Sequence, residues 1–210
     1  MKIYNYRGLD LFLVIFLIPI FTPILLIVIF AIFLTDFKNP FFIQKRLGVK
    51  KVEFYLIKLR SMQIDAEKHT GEIWSSHNDA RITKIGGIIR KYRLDEIPQL
   101  YNIFKGEMSF VGPRPIRGTM AKKIAGYDKD YDIRFESKPG LTGLAQVFAP
   151  YGSTISEQIQ KGVWDRYWLS DHSRSLYFKV LFWTVLKILI PNRLIALKEN
   201  FEISFNQMIK

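Results

Sequence analysis

Hydrophobic positions fill one unbroken block near the N-terminus. Residues 11–34 contain no Asp, Glu, Lys or Arg. A straight helix of that length reaches about 36 Å at ~1.5 Å per residue, enough to cross a hydrocarbon core of about 30 Å. A run that is apolar on every face points to lipid rather than to a core helix. It is too long for a secretory signal, and no small-residue cleavage site follows it. Pro19 and Pro23 lie near its middle with Thr22 between them. Each proline removes a backbone donor and crowds the preceding turn. The pattern therefore predicts a sharp bend there, with the Thr22 hydroxyl bonding back to a freed carbonyl.

Asn39-Pro40 ends the apolar block. Residues 41–46 and 52–59 read as two strands joined by a turn near Gly48. Residues 64–72 are polar and helix-permissive. Residues 85–104 hold helix-forming stretches broken at Gly86-Gly87 and at Pro98, with Gly106 as a stop. Residues 112–115 read as a stiff loop, 119–125 as a helix and 139–143 as a turn. Residues 153–161 and 176–190 read as helices. The last is apolar and aromatic with Lys179 and Lys187 inserted, which suits either a membrane interface or a core helix with solvated lysines. No repeat, low-complexity linker or domain boundary is visible after residue 40. The expected fold class is α+β: a compact, mainly helical body of residues 39–210 with a small β-hairpin, carried by an anchor of residues 1–38.

Charge adds a partner class. The 210 residues include 31 Lys plus Arg against 19 Asp plus Glu, a formal net charge of +12. Such an excess implies an anionic partner: phospholipid, nucleic acid or a phosphorylated substrate. A hydrophobic content of 49% excludes a disordered chain. The absence of cysteine excludes a disulfide scaffold, a thiolate nucleophile and Cys-based zinc or iron–sulfur sites. His69, His77 and His172 form no metal motif. Lys2 and Arg7 precede the apolar block, and Lys38, Lys45, Arg46, Lys50 and Lys51 follow it. Positive charge on both flanks fits a helix that enters and returns to the cytoplasmic face, and a single span with an outside N-terminus fits as well.

The densest candidate chemistry lies between residues 81 and 117. Arg81, Lys84, Arg90, Lys91, Arg93, Lys105, Arg114 and Arg117 share that segment with only three acids, Asp95, Glu96 and Glu107. Basic side chains hold phosphate oxygens, arginine through two parallel hydrogen bonds. Adjacent carboxylates can divide the roles of nucleophile and magnesium ligand. Neighbours on a helix are about 100° apart, so Asp95 and Glu96 suit one centre rather than a pair facing across a glycosidic bond. Pro98 fits a first helical turn. That places the pair at or just before a helix N-terminus, where negative charge is favoured by roughly 0.3–1 kcal/mol and plain capping is the competing reading. In Gly112-Pro113-Arg114-Pro115, two prolines fix the backbone around one arginine, which lowers the entropy lost in clamping an anion. An ordinary turn would use the same Gly-Pro step.

Several segments together resemble a known family. They are Thr22-Pro23, Gln44-Lys45-Arg46-Leu47-Gly48, Lys58-Leu59-Arg60-Ser61-Met62, Asn78-Asp79-Ala80-Arg81-Ile82-Thr83, Leu94-Asp95-Glu96-Ile97-Pro98-Gln99-Leu100, Gly106-Glu107-Met108-Ser109-Phe110-Val111-Gly112-Pro113-Arg114-Pro115 and Lys138-Pro139-Gly140-Leu141-Thr142-Gly143. In this order they resemble the bacterial sugar transferases of the monotopic phosphoglycosyl transferase class, from residue 7 to about residue 184. The departures are Thr22 for the usual Ser, a poor match over residues 116–135, Leu144 for the usual Trp, residues 147–151 without the common Asn-Gly-Arg, and Tyr177 where many members have Asp.

The resemblance implies transfer of a phosphosugar from a UDP-sugar to a polyprenol phosphate, giving a polyprenyl-diphosphate sugar and UMP, at the start of glycan assembly. It implies Asp95 as the nucleophile that takes a covalent phosphosugar, and Glu96 as a ligand of the magnesium cofactor. Arg114 becomes the phosphate clamp, with Lys58, Arg60, Asp79, Arg81 and Arg90 lining the substrate site. Pro19, Thr22 and Pro23 become the bend of a re-entrant hairpin on the cytoplasmic face of the bacterial inner membrane. The implied partners are the lipid bilayer, polyprenol phosphate and the UDP-sugar, with no nucleic acid; a homo-oligomer is left open. The alternative is a non-catalytic, membrane-tethered basic module that binds anionic lipid or nucleic acid. Against it, the aromatics concentrate in apolar stretches instead of punctuating a basic groove, and no helix-turn-helix or finger spacing is visible.

Overall fold

The computed structural model describes residues 6–68, 71–74, 79–149 and 154–189. Lys2, His69, His77 and Asn78, and parts of the stretches 147–151, 153–161 and 176–190 read above, lie outside them.

The apolar block forms one helix, α1 (Arg7–Asp36), which ends where Phe37 turns left-handed at φ 54°. At ~1.5 Å per residue its 30 residues extend about 45 Å. The helix is continuous through Pro19 and Pro23. The prolines leave the carbonyls of Ile15 and Pro19 without their i+4 donors. The Thr22 hydroxyl donates instead to the Ile18 carbonyl at 2.7 Å, one position before the freed Pro19 carbonyl and three after that of Ile15.

A single stripe of α1 packs on the rest of the protein. Asp10, Val14, Val28 and Ile32 are buried, and the partly buried Leu17, Phe21 and Leu25 fill the interval at steps of three and four. The other faces expose Phe12, Ile15, Phe16, Ile20, Ile24, Ile27, Phe30 and Leu34. An apolar exposed surface of this extent suits lipid.

The hairpin forms as expected. Strands β1 (Phe41–Leu47) and β2 (Glu53–Leu59) pair antiparallel, with Gln44 opposite Leu56 and Arg46 opposite Phe54. A 3-10 turn over Val49–Lys51 joins them. Residues 64–68 form turns rather than a helix, beginning at Asp65, whose φ is 58°. Glu67 and Glu72 there reach across to Arg117, contacts that propensity does not encode.

The stretch after residue 84 departs from expectation in one place. Helix α2 (Lys84–Lys91) runs straight through Gly86-Gly87, capped by the Thr83 side chain, which accepts from the Gly86 N–H. Gly86 serves close packing: a Cβ there would lie 1.9 Å from the Ser61 carbonyl oxygen. The chain breaks instead at Arg93, whose φ of 58° is left-handed, and a 3-10 turn follows over Leu94–Glu96. Helix α3 (Gln99–Lys105) starts after Pro98 and stops at Gly106.

Two three-residue strands were not legible as strands. β3 (Ser109–Val111) and β4 (Gly140–Thr142) pair in parallel, so the expected turn at 139–143 contains a strand. Between them lie α4 (Gly118–Ala125) and a 3-10 segment over Tyr131–Glu136. The short helix α5 (Leu144–Phe148), the long α6 (Ile155–Ser170) and α7 (Arg174–Leu189) complete the described chain. Thr154 and Glu157 form a reciprocal capping box at the start of α6. In α7, Leu176, Tyr177 and Val180 are buried while Phe178, Phe182, Val185 and Leu189 are exposed.

Three apolar clusters hold these elements. The largest joins the first half of α1 to α3, β3, α5, α6 and α7 through Val14, Ile103, Phe110, Phe148, Trp168 and Tyr177. A second joins the far half of α1 to β2 and α2 through Val28, Ile32, Leu59 and Ile89. The third lies under α4 and the 131–136 segment. Polar bonds tie down both ends of α1. Arg7 donates to the Ile103 and Phe104 carbonyls at the end of α3, both at 2.5 Å. Asp36 accepts twice from Arg60, at 2.5 and 2.7 Å.

Candidate active site

Asp95 and Glu96 sit on the turn that links α2 to α3. Leu94 packs on the cluster of Val28 and Ile89, and Ile97 packs on the cluster of Val14 and Ile103. The two carboxylates are thus wedged between the halves of the core, each only 6% exposed. Arg93 enters the turn in a left-handed conformation that costs a non-glycine residue on the order of 1 kcal/mol. Such strain concentrates at functional sites.

Cations converge on Glu96. Lys58 Nζ, from the inner face of β2, donates to Glu96 Oε1 at 3.0 Å. Arg114 donates to the same oxygen at 2.6 Å. The Arg93 guanidinium is 3.8 Å from Oε2. Burial alone would raise the Glu96 carboxyl, but Arg114, Lys58 and Arg93 outweigh it and hold the group well below the usual carboxylate range. Burial conversely pushes the Asp95 carboxyl up; Lys58 opposes that rise, Glu96 adds to it, and Arg114 and Arg90 oppose it further. Burial also lowers Lys58, against the pull of Glu96. Two adjacent acids therefore behave differently: Glu96 is ionised and charge-matched, while Asp95 is the more basic carboxylate. Asp95 Oδ1 is buried and has no hydrogen-bond partner among the described residues.

Arg114 is held by its loop. The Gly112 N–H donates to the Thr142 carbonyl at 2.9 Å, and the Gly140 N–H donates to the Pro113 carbonyl at 2.8 Å. The backbones approach so closely that a Cβ on Gly140 would lie 2.1 Å from the Gly112 nitrogen. Arg134 donates to the Arg114 carbonyl at 2.8 Å and pairs with the buried Asp165 at 3.1 Å. Arg134 went unnoticed in the sequence. Its one signal was its place three positions after Tyr131 in a segment where charged residues alternate with Tyr131, Ile133 and Phe135, the spacing at which its guanidinium lies 4.7 Å from the Tyr131 ring.

Of the residues expected to line the site, Lys58, Arg90 and Arg114 surround the carboxylates or act on them electrostatically. Arg60 is turned toward the end of α1, bonded to Asp36 and to the Asn39 carbonyl. Asp79 and Arg81 bind one another at 2.6 and 2.8 Å.

Residues 2–191 match the family described as bacterial sugar transferase. The chain belongs to that family. Among this bacterial sugar transferase's relatives is a UDP-N-acetylgalactosamine-undecaprenyl-phosphate N-acetylgalactosaminephosphotransferase of Aeromonas hydrophila, 34% identical over 87% of this chain and 43% of that protein. A UDP-glucose:undecaprenyl-phosphate glucose-1-phosphate transferase of Klebsiella pneumoniae is 35% identical over 79% of this chain and 36% of that protein. A protein of the same name from Caulobacter vibrioides is 35% identical over 74% of this chain and 58% of its own length. The chain thus spans less than two thirds of the length of each of these relatives. Every described element of the sugar transferase lies inside the matched residues.

Proposed function

We propose that this chain transfers a sugar 1-phosphate from a UDP-sugar to a polyprenol phosphate through a covalent aspartyl intermediate. The observation that carries the reading is the inequality of the two carboxylates. Asp95 has a buried oxygen with no partner among the described residues, beside a Glu96 already neutralised by Lys58 and Arg114. In the first step an Asp95 oxygen bonds to the phosphorus that carries the sugar. The bond from that phosphorus to the bridging oxygen breaks, and UMP departs with the electron pair. In the second step a phosphate oxygen of the polyprenol phosphate attacks the same phosphorus and Asp95 leaves. Splitting the displacement in two lowers each barrier. Arg114, preordered by its loop, orients the phosphate oxygens and offsets their charge.

The carboxylate set fits magnesium. Both donors are hard oxygens, Asp95 Oδ1 has no hydrogen-bond partner among the described residues, and magnesium takes one or two protein carboxylates with the rest of its shell from substrate phosphate and water. Glu96 would hold the ion, which supplies positive charge to the diphosphate.

The packing of α1 supports a monotopic, re-entrant arrangement at the cytoplasmic face. Its stripe from Asp10 to Ile32 lies against one body, and both ends are tied to that body by Arg7 and Asp36. A helix crossing the bilayer would hold its ends on opposite sides. Pro19, Thr22 and Pro23 mark the weak point at which such a helix bends. The exposed faces of α1 and α7 would then lie in lipid, bringing the carboxylates to headgroup level, where the acceptor phosphate resides.

Purified protein with magnesium, polyprenol phosphate and a panel of UDP-sugars should release UMP, and Asp95→Asn should abolish release while keeping membrane binding. Normal turnover by that variant would refute the nucleophile. For topology, a cysteine at position 2 in sealed cells should resist an impermeant outside reagent. Labelling from outside would establish a span.

A further inference from the structure

A second cation centre lies beyond the carboxylates. Past the hairpin, β1 makes one more antiparallel bridge: Leu47 pairs with Ile116, its N–H donating to the Ile116 carbonyl at 2.9 Å. That register sets Arg46 directly opposite Arg117, on the face away from the Leu47 and Ile116 side chains. Like charges directly opposite destabilise a ladder. Arg117 has its counter-charges, since both its terminal nitrogens donate to Glu67 and Glu72 stands 3.7 Å away. Arg46 has no acid in contact among the described residues. One terminal nitrogen donates to the neutral Gln44 side chain at 2.6 Å, and Nε is buried without a partner. Burial, then Arg117 and Arg114, all disfavour its charge, with Glu67 and Glu72 opposing from further off.

The pairing also fixes where this cation points. Arg46 and Gln44 lie opposite Phe54 and Leu56, and Phe42 lies opposite Lys58, so all share the hairpin's inner face. Arg46 is four residues from the position facing Lys58, about 14 Å along the strand at ~3.4 Å per residue. Arg114 bridges the interval, bonded to Glu96 beside Lys58 and repelling Arg46. A continuous cationic track therefore runs from the two carboxylates to an arginine that has no acid in contact among the described residues.

We propose that Arg46, with Gln44 beside it, forms the subsite for the nucleoside phosphate of the donor. This rests on the transferase reading above. When the Asp95 oxygen bonds to the sugar-bearing phosphorus and the bridging P–O bond breaks, the departing nucleoside monophosphate keeps the electron pair and gains one negative charge. Arg46 receives that charge, and the repulsion stored against Arg117 and Arg114 is relieved when the phosphate binds.

The test uses the full chain in nanodiscs. UMP and uridine are titrated calorimetrically against wild type, Arg46→Gln and Arg46→Lys, alongside UMP-release kinetics and thermal midpoints. Arg46→Gln should weaken UMP binding at least tenfold, leave uridine binding unchanged, and keep or raise the midpoint because a repulsive charge is gone. Arg46→Lys, which keeps the charge without the fork, should fall between the two. Undiminished UMP affinity in Arg46→Gln would overturn the subsite, as would a lowered midpoint with equal losses for UMP and uridine. A wild type that releases UMP from a donor while Arg46→Gln binds UMP normally defeats only the subsite. A wild type that releases none from any donor defeats the transferase reading and this one together.

Discussion

Asp10 offers the most direct test of how α1 is joined to the body. It is 1% exposed, and its Oδ1 accepts from Ser109 Oγ at 2.9 Å, from the Phe110 N–H at 3.0 Å and from the Tyr177 hydroxyl at 2.7 Å. One oxygen thus links α1, β3 and α7. Burial, reinforced by Asp10, raises the Tyr177 phenol, so its proton remains available to donate at neutral pH. Tyr177→Phe removes one of the three donors and strands no polar group. A hydrogen bond to a charged acceptor contributes roughly 1.5–3 kcal/mol, which is the expected loss. For a domain of this size that lowers the melting midpoint by about 3–12 °C. Asp10→Ala strands three buried donors at about 1–3 kcal/mol each, a sum that approaches the whole stability of a typical domain. The double variant strands one donor fewer, so its loss should be smaller than the sum of the single losses. Thermal unfolding in detergent micelles, followed by tryptophan fluorescence, reads all three; the Trp168 ring centroid lies 6.5 Å from that of Tyr177. Equal midpoints for wild type and Tyr177→Phe, or for Tyr177→Phe and Asp10→Ala, would refute the shared-acceptor account.

Three further outcomes are expected. Gly86→Ala should prevent folding or lower the midpoint strongly, because its Cβ meets the Ser61 carbonyl, whereas Gly87→Ala meets nothing within 4 Å and should stabilise by about 0.5–1 kcal/mol; circular dichroism melts separate the two. Burial pushes Asp165 up from 3.8 to about 6 despite Arg134. The folded protein then binds more protons than the unfolded chain between those values. That contribution to stability is complete below about 3.8 and is lost as pH rises through about 6. Asp165→Asn should flatten the denaturation profile over that window, and an unchanged slope would count against the assignment. Because burial raises Asp95, UMP release should decline on acidification at a higher pH than an ordinary carboxylate would give, which a pH–rate profile measures.

The hairpin, the stop at Gly106 and the helices at 118–125 and 174–189 were legible because each carries a local signal: two short strand-forming runs around Gly48, a glycine past a helix end, or a helix-forming run. The strands β3 and β4 were not. Three residues cannot show a period, and their pairing joins segments about thirty residues apart in the chain. Gly86-Gly87 looked like a break, yet Gly86 is there because the Ser61 carbonyl leaves no room for a side chain, a tertiary reason invisible in the local pattern. In the site, the adjacency of Asp95 and Glu96 and the stiff seat of Arg114 could be read directly. That Lys58 would share an oxygen with Arg114, or that Arg60 would face Asp36, depends on strand register and on where α1 ends. Tyr177, marked in the sequence only as a departure from the acidic residue many members carry, proves to donate to Asp10; an acid there would have opposed it with like charge.

The long stripe on α1 makes it unlike a tether that could be exchanged for any greasy segment. A substitute helix would still dissolve in a bilayer, but the seats of Asp10, Val14, Val28 and Ile32 would stand open beneath the turn that carries Asp95 and Glu96, exposing Leu59, Ile89 and Ile103. Trimming α1 away to obtain a water-soluble fragment would do the same, so such a fragment should aggregate. The exposed apolar faces and the buried stripe of α1 in this way belong to one element, and neither can be re-engineered without the other.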